Sequence, residues 1–322
     1  MSKQTQQTAV RPVPAAAQAA PAPAGNVSPE SVHKVVAGEV LLTGHHQTGQ
    51  DAFDVTARWP QEHPFYGPRH GFHDPLLVAE SVRQCVPFLS HVAYGVPFGH
   101  RQSWSRMRYA LSPAALVAGE RAAKIEMRIA CPEVVRRGAT LSSVDMRVDI
   151  LRDGVLLGTA QAGFLNHSPA VYRRLRGAYA DLDEARSRIL PLAPPVAPRR
   201  VIREDFADVV LSPTDVPHRF QLRVDLSHPA LFDHPVDHVP GMLLLEAARQ
   251  AAHSVTYPRT TIPVALDAVF SRYVEYDAPC WIHADPLLPD DTAGRPRVLI
   301  SAHQSGRCVF SCVVTMDHLP SF

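Results

Sequence analysis

Apolar and polar residues alternate with a period of two in several short stretches, and that period predicts strands. It predicts one strand over Ala52–Trp59 and others over 102–111, 122–130, 140–152 and 155–165. Gly38–Thr43 (G-E-V-L-L-T) reads as a further short strand ahead of them. A loop dense in His, Pro and Gly covers 61–73, and Asp74-Pro75 then opens an apolar run. Asp at the N-cap with Pro at the first helical position is a helix start. Pro87 predicts a kink or an early end of that helix, because it brings no N–H to the ladder. Arg152-Asp153-Gly154 supplies a hairpin turn. Asp181–Ile189 reads as a short helix, and the Pro-rich Leu190–Pro198 as a semi-rigid spacer. The same order then returns. Ala207–Leu211 and Phe220–Leu226 read as strands, 228–240 as a His/Pro loop, and a helix opens at Gly241. Strand patterns follow over 264–276, 280–285, 296–303 and 307–316.

The two helices are copies of one another. Asp74–Gln84 aligns without gaps on Pro240–Gln250, 166 positions later, which sets Glu80, Arg83 and Gln84 on Glu246, Arg249 and Gln250. Such a repeat predicts a duplication, with one chain supplying an intramolecular pseudo-dimer compatible with a monomer. The chain divides accordingly into a Pro/Ala/Gln-rich tail (1–28), a first domain (29–180), a linker (181–200) and a second domain (201–322).

Met242–Val255 is apolar or small almost all round, the mark of a helix buried on most faces. Glu246, Arg249, Gln250 and His253 break that pattern at i, i+3, i+4 and i+7, which is a single stripe. Charges on a buried helix are costly unless paired or used. The stripe therefore either glues the halves together or lines a pocket between them. Pro240-Gly241 leaves the first N–H groups of the second helix without a side-chain acceptor, a terminus suited to a carbonyl or a developing oxyanion. At the first helix Asp74 is expected to occupy those donors.

Composition narrows the classes. The chain has 322 residues, 46% of them apolar, enough for two domains of ordinary size. With 32 basic and 31 acidic side chains the net charge is +1, and no basic face or helix-turn-helix points to nucleic acid. No apolar run approaches the roughly 20 residues of a membrane helix. Residues 1–28 lack a signal-peptide core and are expected to be disordered. The five cysteines are scattered and predict free thiols in a reducing cytoplasm. His63, His70 and His73, and His228, His234 and His238, cluster without metal-ligand spacing, so no metal is expected. Neither a G-x-S-x-G elbow nor a Gly-rich phosphate loop occurs, and no cofactor is expected.

The segment Phe232-Asp-His-Pro-Val-Asp-His-Val-Pro-Gly-Met-Leu-Leu-Leu-Glu-Ala-Ala-Arg-Gln-Ala251 closely resembles the signature of the A-factor biosynthesis (AfsA-type) family of actinomycete butyrolactone and butenolide synthases. Val32-His-Lys34 with Glu39-Val-Leu-Leu-Thr43, and His63-Pro-Phe-Tyr66 with Glu80–Gln84, are similar to that family too, so the likeness spans roughly 30–320. The resemblance implies an α+β tandem hotdog fold, each domain a long helix wrapped by an antiparallel sheet. It implies transfer of a β-ketoacyl group from acyl carrier protein to the hydroxyl of dihydroxyacetone phosphate, on the way to diffusible signals that switch on antibiotic production. A fainter likeness to hydroxyacyl-carrier-protein dehydratases rests on Pro240-Gly241 and Glu246. The His that those enzymes carry ahead of Pro-Gly would fall on Phe232, two residues from His234, which speaks against dehydration.

For that transfer, Glu80 or Glu246 is the expected base, its pKa raised by burial. Arg83 and Arg249 suit a phosphate or the β-keto oxygen through their bidentate forks. Gln84 and Gln250 would orient the substrate, Gly241 would hold the thioester carbonyl, and His234 and Arg272 (in Phe270-Ser-Arg-Tyr273) are further substrate contacts. The expected site is composite, with Glu80 of one helix meeting Arg249 of the other. Two other readings stay open: a hotdog thioesterase or dehydratase-like enzyme, and a non-catalytic acyl- or butyrolactone-binding protein.

Overall fold

The computed structural model describes residues 27–319; the tail expected over 1–28 lies outside them apart from its last two residues. One continuous antiparallel sheet of twelve strands carries the fold. Its first half comprises β1 (Leu42–Gly49), β2 (Ala52–Trp59), β3 (Arg101–Leu111), β4 (Ala123–Arg137), β5 (Thr140–Arg152) and β6 (Val155–His167). Its second half comprises β7 (Leu211–Pro213), β8 (Arg219–Leu222), β9 (Thr261–Phe270), β10 (Cys280–Leu287), β11 (Arg297–Gln304) and β12 (Arg307–His318). The spatial order is β1-β2-β4-β5-β6-β3-β9-β12-β11-β10-β8-β7. Read inwards from either edge, both halves follow one permutation: first, second, fourth, fifth, sixth, third strand. They join where β3 pairs with β9, in the register Met107↔Ala268 and Tyr109↔Leu266.

Each half places its long helix after its second strand: α1 (Leu76–Val92) and α4 (Gly241–Thr256). Both are almost wholly buried against the concave sheet. The strands turn alternate side chains inward, as in Val298, Ile300, Ala302 and Gln304 of β11. Burying a side chain such as Ile300 contributes about 1.5–3 kcal/mol. Asp153-Gly154 takes positive φ at both positions (49° and 83°), the conformation a two-residue hairpin demands. Between the halves run α2 (Pro169–Arg176) and α3 (Leu182–Ser187).

Several predicted elements shift. Gly38–Thr43 is not one strand: a 3-10 turn covers Ala37–Glu39 and β1 starts at Leu42. The Gln84 amide is responsible, accepting from Leu41 N (2.8 Å) and donating to Glu39 O (2.8 Å), so this backbone pairs with a side chain instead of a strand. Gln250 does the same to Val210 N (3.0 Å) and Asp208 O (2.7 Å), which is why Ala207–Leu211 also becomes a 3-10 turn followed by a short strand. Helix α1 does not end at Pro87 but continues to Val92. Val86, Phe88 and Leu89 are all buried, and their packing offsets the missing backbone bond. β9 stops at Phe270, so 271–276 leave the sheet.

Candidate active site

Two carboxylate clusters sit at pseudo-equivalent positions. On α1, Glu80 accepts from Arg83 Nε (3.0 Å) and Nη2 (2.9 Å) and from Gln84 Nε2 (2.9 Å), and Lys34 Nζ lies 3.2 Å away. On α4, Glu246 accepts from Arg249 Nη2 (2.7 Å), Gln250 Nε2 (2.5 Å) and Arg203 Nε (3.0 Å). Lys34 and Arg203 correspond in a second repeat, Pro29–Thr43 on Pro198–Ser212, 169 positions apart. In both copies the residue before the cation, His33 or Ile202, sits at positive φ (53° and 52°). A third correspondence joins His63 to His228. Each ring accepts through Nδ1 from two backbone N–H groups just after it.

Only one cluster is open. A cavity of about 720 Å³ is lined by His33, Lys34, Glu80 and Arg83 of the first half and by His234, Pro240, Gly241 and Met242 of the second. The site thus combines the carboxylate of one helix with the N-terminus of the other. At the other site the same combination is filled. Asp74 caps α1 by accepting from Leu76 N (2.8 Å), and its second oxygen takes Arg249 Nη1 (2.9 Å). Arg203 lies 3.9 Å over the Phe65 ring and donates to Phe65 O (2.7 Å), and Tyr66 is buried beside it. The counterparts in the open site are smaller or apolar: Pro240 for Asp74, and Ala230 and Leu231 for Phe65 and Tyr66.

At the cavity, α4 begins without a side-chain cap. Leu243 N and Leu244 N turn back to Pro240 O, and among the described residues the N–H groups of Gly241 and Met242 have no acceptor. Gly241 packs closely there: a Cβ would stand 3.2 Å from Trp104 Cε3 and 3.3 Å from Phe270 Cε1, so both rings would have to give way by a few tenths of an ångström. Trp104, Phe270, Val86, Pro87 and Leu244 give the cavity an apolar wall.

His234 Nδ1 lies 2.6 Å from Asp233 Oδ1. A carboxylate can only accept, so Nδ1 carries a proton, and in the neutral ring the lone pair is on Nε2. Asp233 is fixed in turn by Val35 N (3.0 Å) and Lys34 Nζ (3.8 Å). Burial would raise its carboxyl, but the His234 hydrogen bond and the Lys34 charge bring it below the ordinary value. His238 and Asp237 form a second dyad at 2.6 Å, but Asp237 also accepts from Tyr172 Oη (2.7 Å) and holds α2 in place.

The sequence expectations separate on this geometry. Glu80, Arg83, Gly241, His234 and Arg272 line the cavity; Glu246, Arg249, Gln84 and Gln250 do not. Glu80 does not meet Arg249, which turns to Asp74 and Glu246. Burial was expected to raise a glutamate base. Burial does push Glu80 upward, but the charges of Arg83 and Lys34 and the hydrogen bonds from Arg83 and Gln84 hold it at about 2. Gln84 and Gln250 pin backbone segments and their own glutamates. Arg272 is exposed just past the end of β9. Lys34, Asp233, His33 and Trp104 line the cavity too, although the sequence assigns none of them a role. The second repeat, Pro29–Thr43 on Pro198–Ser212, was the signal for Lys34.

Sequence and structure comparisons agree with this architecture. Residues 15–166 and 185–319 match the A-factor biosynthesis hotdog domain. A "2-oxo-3-(phosphooxy)propyl 3-oxoalkanoate synthase" of Streptomyces virginiae is 42% identical over 285 residues, covering 88% of this chain and 95% of the relative. A protein of the same name from Streptomyces coelicolor is 40% identical over 282 residues, covering 87% and 88%. Among solved structures, an oleoyl thioesterase of Lactobacillus plantarum superimposes with a TM-score of 0.53 at 14% identity, over 85% of this chain and 99% of that one. An acyl-ACP thioesterase of Bacteroides thetaiotaomicron reaches 0.50 at 11% identity, over 82% and 98%. These two share the fold, an α+β hotdog pair. No helix among the described residues is long and apolar enough to cross a membrane. With both halves matched and relatives 40% and 42% identical over 87–88% of the chain, this protein belongs to the A-factor biosynthesis (AfsA) hotdog-domain family.

Proposed function

We propose that the chain is an acyltransferase that moves a β-ketoacyl group from the thiol of an acyl carrier protein to the hydroxyl of dihydroxyacetone phosphate, a transfer whose product is the phosphorylated 3-oxoalkanoate ester in its relatives' name. The observation that carries this reading is the single cavity in which an oriented His, an uncapped helix N-terminus and a guanidinium converge.

The thioester carbonyl oxygen accepts from the N–H groups of Gly241 and Met242, at the positive end of α4. His234 Nε2 takes the proton of the acceptor hydroxyl as its oxygen bonds to the carbonyl carbon. The C–S bond then breaks, and His234 returns the proton to the departing thiolate, leaving an ester and a free thiol. Asp233 fixes the ring and stabilises the imidazolium between these steps. Glu80, held at about 2, is too weak a base for a hydroxyl; it keeps Lys34 and Arg83 in position. Arg83 uses Nε and Nη2 on Glu80 and has Nη1 left for the acceptor's phosphate; Arg272 at the rim is a second contact. Val86, Pro87, Trp104 and Leu244 take the acyl chain. The free thiols, four of them buried, fit a cytoplasmic enzyme.

The test is incubation of the protein with a β-ketoacyl thioester, with and without dihydroxyacetone phosphate, read by mass spectrometry. A phosphorylated ester that needs the acceptor supports the reading. Free β-keto acid formed regardless of the acceptor would make the chain a thioesterase, and an untouched thioester would make it a binding protein.

A further inference from the structure

Helix α2 leaves the end of β6 at the mouth of the cavity, with Ser168 as its N-cap. Its inner face is anchored. Tyr172 donates to both oxygens of Asp237 (2.7 and 2.8 Å), and Arg176 pairs with Glu275 (2.8 Å) while stacking on Tyr273 at 4.2 Å. Its outer face is unusual. Val171 and Leu175 are 48% and 59% exposed, Arg173 and Arg174 are exposed between them, and the helix carries no acidic residue. Leu175 itself lines the cavity, as do Leu165, 40% exposed, and the exposed Arg101. Among the described residues none of Arg101, Arg173 and Arg174 has a carboxylate within ion-pair range. A chain of net charge +1 thus gathers unpaired arginines and exposed leucines on one rim of one opening.

We propose that this rim, centred on α2, is the docking surface for an acidic carrier protein that delivers the acyl chain. The proposal rests on the acyl-transfer reading. The reasoning is one of fit. A thioester presented on an arm must enter through the mouth, so its carrier comes to rest on what surrounds the mouth. Exposed apolar side chains alongside unpaired guanidinium groups match a partner with acidic side chains and a few apolar ones, and opposite charge speeds and orients such an encounter. Tight anchoring of the inner face makes the helix a rigid platform.

The experiment compares two acyl donors in wild type and in R173E/R174E, residues that touch neither the cavity nor the reacting groups. The donors are a β-ketoacyl carrier protein and the same acyl group on N-acetylcysteamine. We expect kcat/KM for the carrier-bound donor to fall by about tenfold or more, with the small thioester unaffected, and wild-type turnover of the carrier donor to weaken with added salt. The milder R173Q/R174Q guards against damage to the helix and should give an intermediate loss. Unchanged turnover of the carrier donor in both variants overturns the proposal, as does an equal loss with both donors. Binding of wild type to anionic phospholipid vesicles, lost in R173E/R174E while carrier kinetics stay constant, overturns it in favour of a membrane face. If wild type acylates dihydroxyacetone phosphate from neither donor, the failure lies with the acyl-transfer reading.

Discussion

At the cavity, charge is distributed so that the glutamate on the helix is held ionised by cations rather than poised as a base. Glu80 faces Arg83 and Lys34 at ion-pair distance and stays ionised; His234 faces Asp233 and holds its lone pair on Nε2. His234→Gln is therefore expected to lower kcat by about 10²–10⁴-fold with the fold intact. His238→Gln should leave the chemistry largely in place, and a reversed ranking in steady-state assays would move the base to the second dyad. His33 makes a separate prediction. Its ring lies 3.0 Å from His91, and burial, then the charges of His91 and Arg83, lower its pKa from 6.5 to about 3. The folded protein keeps this ring neutral while the unfolded chain protonates it. Its contribution is present above pH 6.5 and is lost as pH falls from 6.5 towards 3. A few kcal/mol are at stake. His33→Gln should flatten the fall in urea midpoint across that window. An unchanged slope would mean that the ring is protonated without penalty.

Between helices the comparison is one of copies that have diverged. Arg83 and Arg249 descend from one position, yet Arg249 is closed in by Asp74 and Glu246, and Arg83 borders the cavity. Removing Arg249 leaves the buried Asp74 without its cation, while Glu246 keeps Arg203 and Gln250, so Arg249→Ala should cost about 3–5 kcal/mol of stability. Molecules that still fold should keep their kcat. Arg83→Ala should do the opposite: Glu80 retains Lys34 and Gln84, so the stability loss is smaller, and kcat/KM for the phosphorylated acceptor drops about ten- to a hundredfold. Urea titration beside acceptor kinetics distinguishes the two, and loss of turnover in a folded Arg249→Ala would contradict the assignment. Much of this was legible in the sequence. The gap-free helix repeat, the polar stripe and the contrast of Asp74 with Pro240 are all visible there. What pairs with the stripe was not, because Lys34, Arg203, Phe65 and Asp233 arrive from loops far along the chain. The strands mistaken at 38–43 and 207–211 fail for the same reason: a distant Gln supplies the hydrogen bonds that local pattern assigns to a neighbouring strand. Nor does either helix own a site. Each glutamate works against the other helix's N-terminus, so Asp74, expected only to occupy the donors of its own helix, also closes the site built on Glu246.

Over the whole molecule, the halves are bound by more than the β3–β9 seam. Arg249–Asp74, Arg203–Phe65, Lys34–Asp233, Tyr172–Asp237 and Tyr179–Asp277 all cross from one half to the other, the last two through the segment that connects them. Most of these contacts are buried, and neither half can lose its partner without stranding charges inside the remaining one. The open cavity exists only while both halves are docked, since it takes Glu80 and Arg83 from one and His234 and Gly241 from the other. Unfolding should therefore be a single transition. Two tryptophans offer a direct check: Trp59 reports on the first half and Trp281 on the second, while Trp104 packs against Phe270 across the seam. Fluorescence of a W104F/W281F variant follows the first half alone, and that of W59F/W104F the second, which is compared with its own far-UV circular dichroism because Trp59 is a core residue. Within each variant the fluorescence and circular dichroism transitions should coincide in urea. Separation of the two probes, with the unreported half melting first, would show that the halves are independent domains and that the cavity assembles only after each has folded.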